Sequence, residues 1–320
     1  MLTFPLSIAS PAGHRGRLSI LIFHRVLEQA DALAPSVPSA AEFEARMRWI
    51  AGWFNVLPLD QAVDRLFQGA IPTRALTITF DDSYADNLAI AAPILHRLGL
   101  TATFFITTGY LGDGCMWNDR VIEAVRACRQ DRLDLSALGL KAYPLATLSE
   151  RCAAIDSILT DIKHLEQARR QALADQIVAA AGGHPLPALM MKHDQVRALH
   201  AVGMQVGGHT VTHPILTRLT PDAAFEEMRR GKQELEQIVG APVPLFAYPN
   251  GVPRQDYGAE HARMVRECGF SAAVSTAWGA ANARSDRYQL PRFTPWDRSR
   301  LRYGARLLAN LRVKEAVAPA

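Results

Sequence analysis

Cysteine is scarce. The four in 320 residues (Cys115, Cys128, Cys152 and Cys268) form no CxxC pair. That spacing excludes a disulfide framework and reads as reduced, mostly buried thiols of an intracellular protein. No stretch approaches the ~20 consecutive apolar residues of a membrane span. Met1 to Ile8 has no basic start, and Pro5, Pro11 and Gly13 break the apolar run, so no signal peptide is expected and the assigned location is cytoplasmic. Basic residues number 35 against 31 acidic, a net charge of +4, and are scattered rather than clustered, which argues against a nucleic-acid partner. GxGxxG, GxxxxGK[ST] and internal repeats are all missing. The closing Ala316-Val-Ala-Pro-Ala320 reads as a frayed tail.

Apolar residues make up 49% of the chain, enough for one large core. Short apolar, β-branched runs alternate with helical spacing. Strands are predicted at Arg17–Phe23, Val56–Leu57, Leu76–Phe80, Thr101–Ile106, Met204–Gly207, Pro244–Tyr248, Phe270–Ser275 and Tyr288–Arg292. Between them lie predicted helices at Ala41–Trp53, Asp60–Phe67, Tyr84–Leu98, Asp194–Ala201, Thr220–Val239 and Ala259–Cys268. Seven to eight strands in this pattern predict an α/β protein, a distorted (β/α) barrel rather than an open sheet. Residues 107–190 change character, with helical patterns over 120–130 and 148–181. Alternation resumes afterwards, so they read as a mainly helical insertion within a single domain, 1–320, whose core spans about 17–300.

Two stretches carry chemistry. Leu76-Thr-Ile-Thr-Phe-Asp-Asp82 drives a buried strand into two adjacent carboxylates, at the sheet edge where active sites are built. Two carboxylates there repel each other and lose solvation, which a divalent cation offsets; a helix cap needs only one of them. Gly208-His-Thr-Val-Thr-His213-Pro214 places imidazoles at i and i+4 after another strand, on the same predicted rim. Two imidazoles and one carboxylate suit zinc or another first-row divalent ion with open positions, leaving the second carboxylate as a base.

These residues carry a resemblance. Thr79-Phe-Asp-Asp82, His209-Thr-x-x-His213-Pro and Phe246-Ala-Tyr-Pro-Asn-Gly251 resemble, in order and spacing, the successive motifs of the polysaccharide deacetylase family, the NodB-homology carbohydrate esterases. The likeness covers about Leu18 to Phe293. It implies the NodB-type barrel and a metal-dependent N-deacetylase acting on amino sugars of an exopolysaccharide or related glycan. Asp82, His209 and His213 resemble the metal ligands (zinc first, with cobalt, nickel or manganese as alternatives), and Asp81 resembles the catalytic base. Tyr248 falls where the family offers a backbone N–H to the oxyanion, with Pro249 and Gly251 shaping that loop. Ala247 stands where the family often has the arginine that orients the base, so Arg292, in Leu290-Pro-Arg-Phe293, is the candidate substitute. The family's late Leu-x-His is missing, since no histidine follows His261. His24, at the end of the first strand, is the candidate general acid.

Plainer readings stand beside these. His24-Arg25 would serve as a structural pair, and Arg292 as an ordinary salt-bridge partner. Trp117, Trp278 and Trp296 are candidates for sugar stacking or for simple packing. His184, His193, His200 and His261 are expected on the surface, and Asp86 and Asn87 are expected to face solvent. Two competing functions are an amidase acting on a small linear or cyclic amide and an inactive carbohydrate-binding homologue. The expected partner is a glycan or amino sugar, with peripheral association with a glycan-assembly system; the sequence is silent on oligomeric state.

Overall fold

The structure, a computed structural model, describes residues 2–112, 114–294 and 296–313. The tail read as frayed, 316–320, lies outside the described residues. The strands are β1 (Leu18–Phe23), β2 (Asn55–Val56), β3 (Ala75–Phe80), β4 (Thr103–Ile106), β5 (Arg132–Asp134), β6 (Ala142–Pro144), β7 (Gln205–Gly208), β8 (Leu245–Ala247) and β9 (Ala272–Val274). The chain divides into two compact units, residues 1–29, 38–111 and 191–320, and residues 30–37 and 112–190.

In the first unit seven strands form one parallel sheet in the order β1-β3-β4-β7-β8-β9, with the short β2 also paired to β3. Every residue of β1 and β3 is buried, as parallel strands covered on both faces require. Alternation along the strands splits their side chains between two cores. Leu21, Phe23, Ile78, Phe80, Phe104 and Ile106 face the helices. Leu18, Ile20, Phe105, Leu245, Ala247, Val274 and Leu290 face the inside. Phe23, Phe80 and Phe104 stack across the outer face, with centroids 5.5 and 4.8 Å apart, and Phe43 of the helix Ala40–Trp53 meets Phe23 edge-on.

The predicted last strand takes an abbreviated form. The Leu290 carbonyl accepts the Ser275 N–H (2.8 Å) and its own N–H donates to Ala273 (2.9 Å). Three residues on, the Phe293 N–H donates to Ile20 (2.8 Å) and its carbonyl accepts from Ile22 (3.2 Å). One tetrapeptide thus links β9 to β1 by single bridges. Pro291 has no N–H to extend either ladder, which keeps the element this short. The architecture is a distorted (β/α) barrel, as the alternation of strands and helices predicts.

Several boundaries follow their caps. Ser39 and Glu42 form a capping box at the start of the helix Ala40–Trp53. Thr220 and Pro221 open the helix Pro221–Val239, and left-handed Gly240 ends it. The helix predicted from Asp60 instead starts at Leu59 behind Pro58, leaving Asp60 in the first turn. The predicted Tyr84–Leu98 helix is a π turn over Asn87–Ala91 followed by Ala92–Arg97, with Pro93 in the first turn of the latter. A helix at Arg300–Asn310 has no counterpart among the predicted elements.

The second unit has its own core, including Val121, Ile155, Ile158 and Ile177. It contains helices at Trp117–Ala127, Leu148–Ile162 and Gln167–Ala180, and an antiparallel pair, β5 with β6, that the sequence pattern does not predict. The helical run expected over 148–181 is broken where the Glu166 carboxylate accepts the Ala168 and Arg169 N–H groups as a cap. Trp117 is packed in this core beneath the Arg170 guanidinium, 4.8 Å above its ring, and is no candidate for sugar stacking.

Candidate active site

The carboxyl ends of β1, β3, β7 and β8 deliver His24, Asp81-Asp82, His209 and Ala247 to one edge of the sheet. The backbone there is strained. Among the described residues seven non-glycine positions have positive φ, and five of them are Asp82, Ser83, Thr210, His213 and Asn250. Left-handed backbone at a non-glycine residue costs roughly 1–3 kcal/mol and survives where its surroundings over-determine it. Those surroundings are visible. Ser83 Oγ accepts the Thr107 N–H (2.7 Å). Glu227, on the helix Pro221–Val239, accepts the N–H groups of Val211 and Thr212 (both 2.9 Å) and the Thr212 hydroxyl (2.8 Å), fixing the loop between the two histidines.

Asp82, His209 and His213 converge, each offering one ligand atom within 4.8 Å of the others. Asp82 Oδ1 lies 3.4 Å from His209 Nε2 and 3.3 Å from His213 Nε2. It is buried, and no hydrogen bond satisfies it. The tautomer of His209 fits this arrangement to a cation. Its Nδ1 is 2.7 Å from the Ala247 carbonyl, which can only accept, so Nδ1 carries the proton. In the neutral ring Nε2 then aims a lone pair at a carboxylate lone pair. A backbone carbonyl behind Nδ1 is also how metal-ligating imidazoles are oriented. The three side chains therefore fit a divalent ion. Burial pushes the Asp82 carboxyl up, but the charges of His213, His209 and His24 outweigh it and hold the group well below the carboxylate range. Burial likewise pushes His209 down, and Asp81 and Asp82 more than reverse it.

Asp81 takes a different partner. Arg292, fully buried, grips it with two bonds of 2.7 Å, Nη1 to Oδ1 and Nη2 to Oδ2. The guanidinium is itself held, with Nε donating to the Ser275 carbonyl (2.8 Å) and Nη1 to Thr79 Oγ1 (3.1 Å). Burial raises the Asp81 carboxyl, and Arg292 followed by His209 brings it below its ordinary value. The ordinary-salt-bridge reading of Arg292 does not describe this fully desolvated, bidentate grip.

His24 stays half exposed, with Nε2 4.0 Å from Asp82 Oδ2. Its backbone is anchored by residues expected in solvent. Asn87, buried, donates to the His24 carbonyl (2.8 Å), and Asp86 accepts Arg25 Nε (2.8 Å) and the Val26 N–H (3.2 Å). The helical period alone makes polar groups at the start of a π turn look solvent-facing, because it does not see a partner about 60 residues away. His261 is also inside rather than on the surface; its Nδ1 accepts the Gly258 N–H (2.9 Å), and burial lowers its pKa.

Tyr248 requires a correction. Its N–H donates to the Val274 carbonyl (3.2 Å), continuing the β8–β9 ladder, its hydroxyl donates to Tyr288, and its ring stacks on Tyr257 at 3.8 Å. That N–H is engaged and does not serve an oxyanion. Two residues on, beyond Pro249, the Asn250 N–H has no acceptor among the described residues. Its φ of 58° and the 74° of Gly251 shape a turn that the Pro-Asn-Gly signal foretold without saying which N–H it frees. Trp278 and Trp296 are about half exposed, 5.4 Å apart, and packed on Phe293.

The polysaccharide deacetylase family model matches residues 68–273. YxkH of Bacillus subtilis (strain 168), which bears the name of a polysaccharide deacetylase, is 22% identical over 279 residues, 86% of this chain and 70% of its own. Among solved structures, the Streptococcus pyogenes deacetylase PplD in complex with acetate superposes with a TM-score of 0.58 at 18% identity, over 87% of this chain and 92% of that one. IcaB from Ammonifex degensii gives 0.57 at 17% identity, over 95% and 99%. These two likenesses speak for the fold alone. The family model spans well over half of the chain and contains both the carboxylate pair and the paired histidines, and on that match the chain belongs to the polysaccharide deacetylase family.

Proposed function

We propose that the protein is a metal-dependent N-deacetylase that releases acetate from N-acetylated amino sugars of a polysaccharide. The observation that carries this reading is the division of labour between adjacent carboxylates, Asp82 facing two imidazoles and Asp81 facing a buried arginine. Asp82, His209 and His213 would hold the ion, zinc being the first candidate for this donor set. When bound, it supplies Lewis acidity, polarising the acetyl carbonyl and lowering the pKa of water.

The chain's own groups do the rest. Asp81, kept ionised by Arg292, accepts a proton from the attacking water. The Asn250 N–H offers a donor to the developing oxyanion. His24, half exposed and anchored through its carbonyl by Asn87, gives a proton to the departing amine. Water is consumed, and acetate and a free amino sugar leave.

The test pairs metal analysis with amine release from N-acetylglucosamine oligomers. Asp81→Asn is expected to keep its metal and lose roughly 10²–10⁴ in rate, the usual contribution of a positioned base. Turnover confined to small linear or cyclic amides would favour the amidase reading, and an inert protein would favour a binding role.

A further inference from the structure

Far from the carboxylate site, a cleft of about 580 Å³ is lined by His14, Arg15, Arg17, Arg284 and Arg312 with no acidic side chain. None of these arginines makes an ion pair among the described residues. Four like charges around one concavity repel each other, and an anion relieves that repulsion. A second groove of about 360 Å³ shares Arg17 and Arg312 with the first, and its other walls are apolar, including Pro5, Ile8, Leu308 and Leu311. The three most exposed large apolar residues among those described lie on the helices Thr3–Ala9 and Arg300–Asn310 that flank this groove: Leu301 (78%), Phe4 (75%) and Ile8 (67%). On Arg300–Asn310 and its continuation, positions 301, 305, 308 and 312 share one face, opposite the buried Tyr303 and Leu307.

We infer that this face seats the protein on an anionic membrane surface, the arginines at headgroup phosphates and Phe4, Ile8 and Leu301 at the acyl boundary. The pattern is that of an interfacial surface, with apolar side chains flanked by arginine and no carboxylate lining either groove. Arginine suits phosphate because its planar fork can donate two bonds at once. A free polyanion would not account for the exposed apolar residues. A second copy of the chain fits poorly, because a two-fold contact would set arginine against arginine. Orientation adds a consequence. Arg17 precedes the first residue of β1 and His24 follows its last, so the basic cleft and the carboxylate site lie at opposite ends of the strands, about 20 Å apart for six residues. Seated this way, the protein turns its carboxylate site away from the bilayer.

The experiment is vesicle flotation of the full chain, comparing phosphatidylcholine vesicles carrying phosphatidylglycerol with pure phosphatidylcholine. The protein is expected to float only with the anionic vesicles. Arg15→Ala and Arg312→Ala are expected to weaken partitioning roughly fivefold each, and Phe4→Ser with Ile8→Ser to abolish it. All four residues are exposed and outside the proposed machinery, so melting temperature and deacetylation of a dissolved oligomer should match the parent in every variant. The inference is overturned by any of four results: no flotation, equal flotation with neutral vesicles, stabilisation by inorganic pyrophosphate without flotation, or a concentration-dependent dimer that the arginine variants dissolve.

Discussion

Arg292→Ala isolates the grip on Asp81. The side chain is completely buried and makes four hydrogen bonds, two of them to the carboxylate. Removing one partner of a buried pair strands the other, which costs about 3–5 kcal/mol. At about 2 °C per kcal/mol for a chain of this size, the melting temperature should fall by roughly 6–10 °C. The chemistry should fail in a specific way. The adjacent arginine opposes burial and holds the Asp81 carboxyl below its ordinary value. Without it, desolvation dominates and Asp81 stays protonated to higher pH, so the acid limb of the kcat/KM profile moves up. Arg292→Lys keeps a charge but not the fork and should fall between. The assay is thermal denaturation beside amine release measured across pH. A variant with lowered stability and an unmoved acid limb would show that Arg292 only supports the fold. Unchanged stability would refute the burial argument itself.

Four further outcomes are expected. His24→Ala should leave metal content intact and reduce turnover roughly 10²–10⁴-fold, measured by metal analysis and amine release. Gly251→Ala should destabilise the fold by roughly 1–2 kcal/mol in urea titration, because φ is +74° and a Cβ would meet the Tyr248 carbonyl at 3.0 Å. The stabilisation from the Asp81–Arg292 pair should be present above the unfolded aspartate value near 3.9 and fade as pH falls below it, because the depressed folded-state pKa makes the unfolded chain bind the proton first. Urea titration in the acid range should show that slope, flattened in Arg292→Ala. Chelator treatment should lower the melting temperature, zinc should restore it, and Asp82→Ala should remove the effect, since an ion that binds only the folded state stabilises it.

Much of this architecture is legible in the chain. Runs such as Leu76–Phe80 announce parallel strands through composition, and Thr220-Pro221 and Gly240 mark a helix through caps that act over a few residues. The carboxylate pair and the paired histidines are local in sequence and stand out there. What the sequence hides depends on distance. Glu227 holds the histidine loop from 16 residues away, and Asn87 anchors His24 across 63; neither belongs to a short pattern. The expectation for Tyr248 fails because register decides which N–H groups a ladder consumes, and register is a property of the paired strands. The helix at Arg300–Asn310 is masked because its arginines hide the apolar stripe of Tyr303, Leu307 and Leu311.

The tetrapeptide Leu290–Phe293 closes the ring of strands and also carries the arginine that grips Asp81. Any shift that opens the ring there also withdraws the guanidinium from that carboxylate. A chain emerging from the ribosome has both carboxylates and both histidines in hand long before Arg292 appears, so the buried seat of Asp81 receives its counter-charge only when the final stitch is made. Integrity of the barrel and the charge balance around one carboxylate therefore rise and fall together.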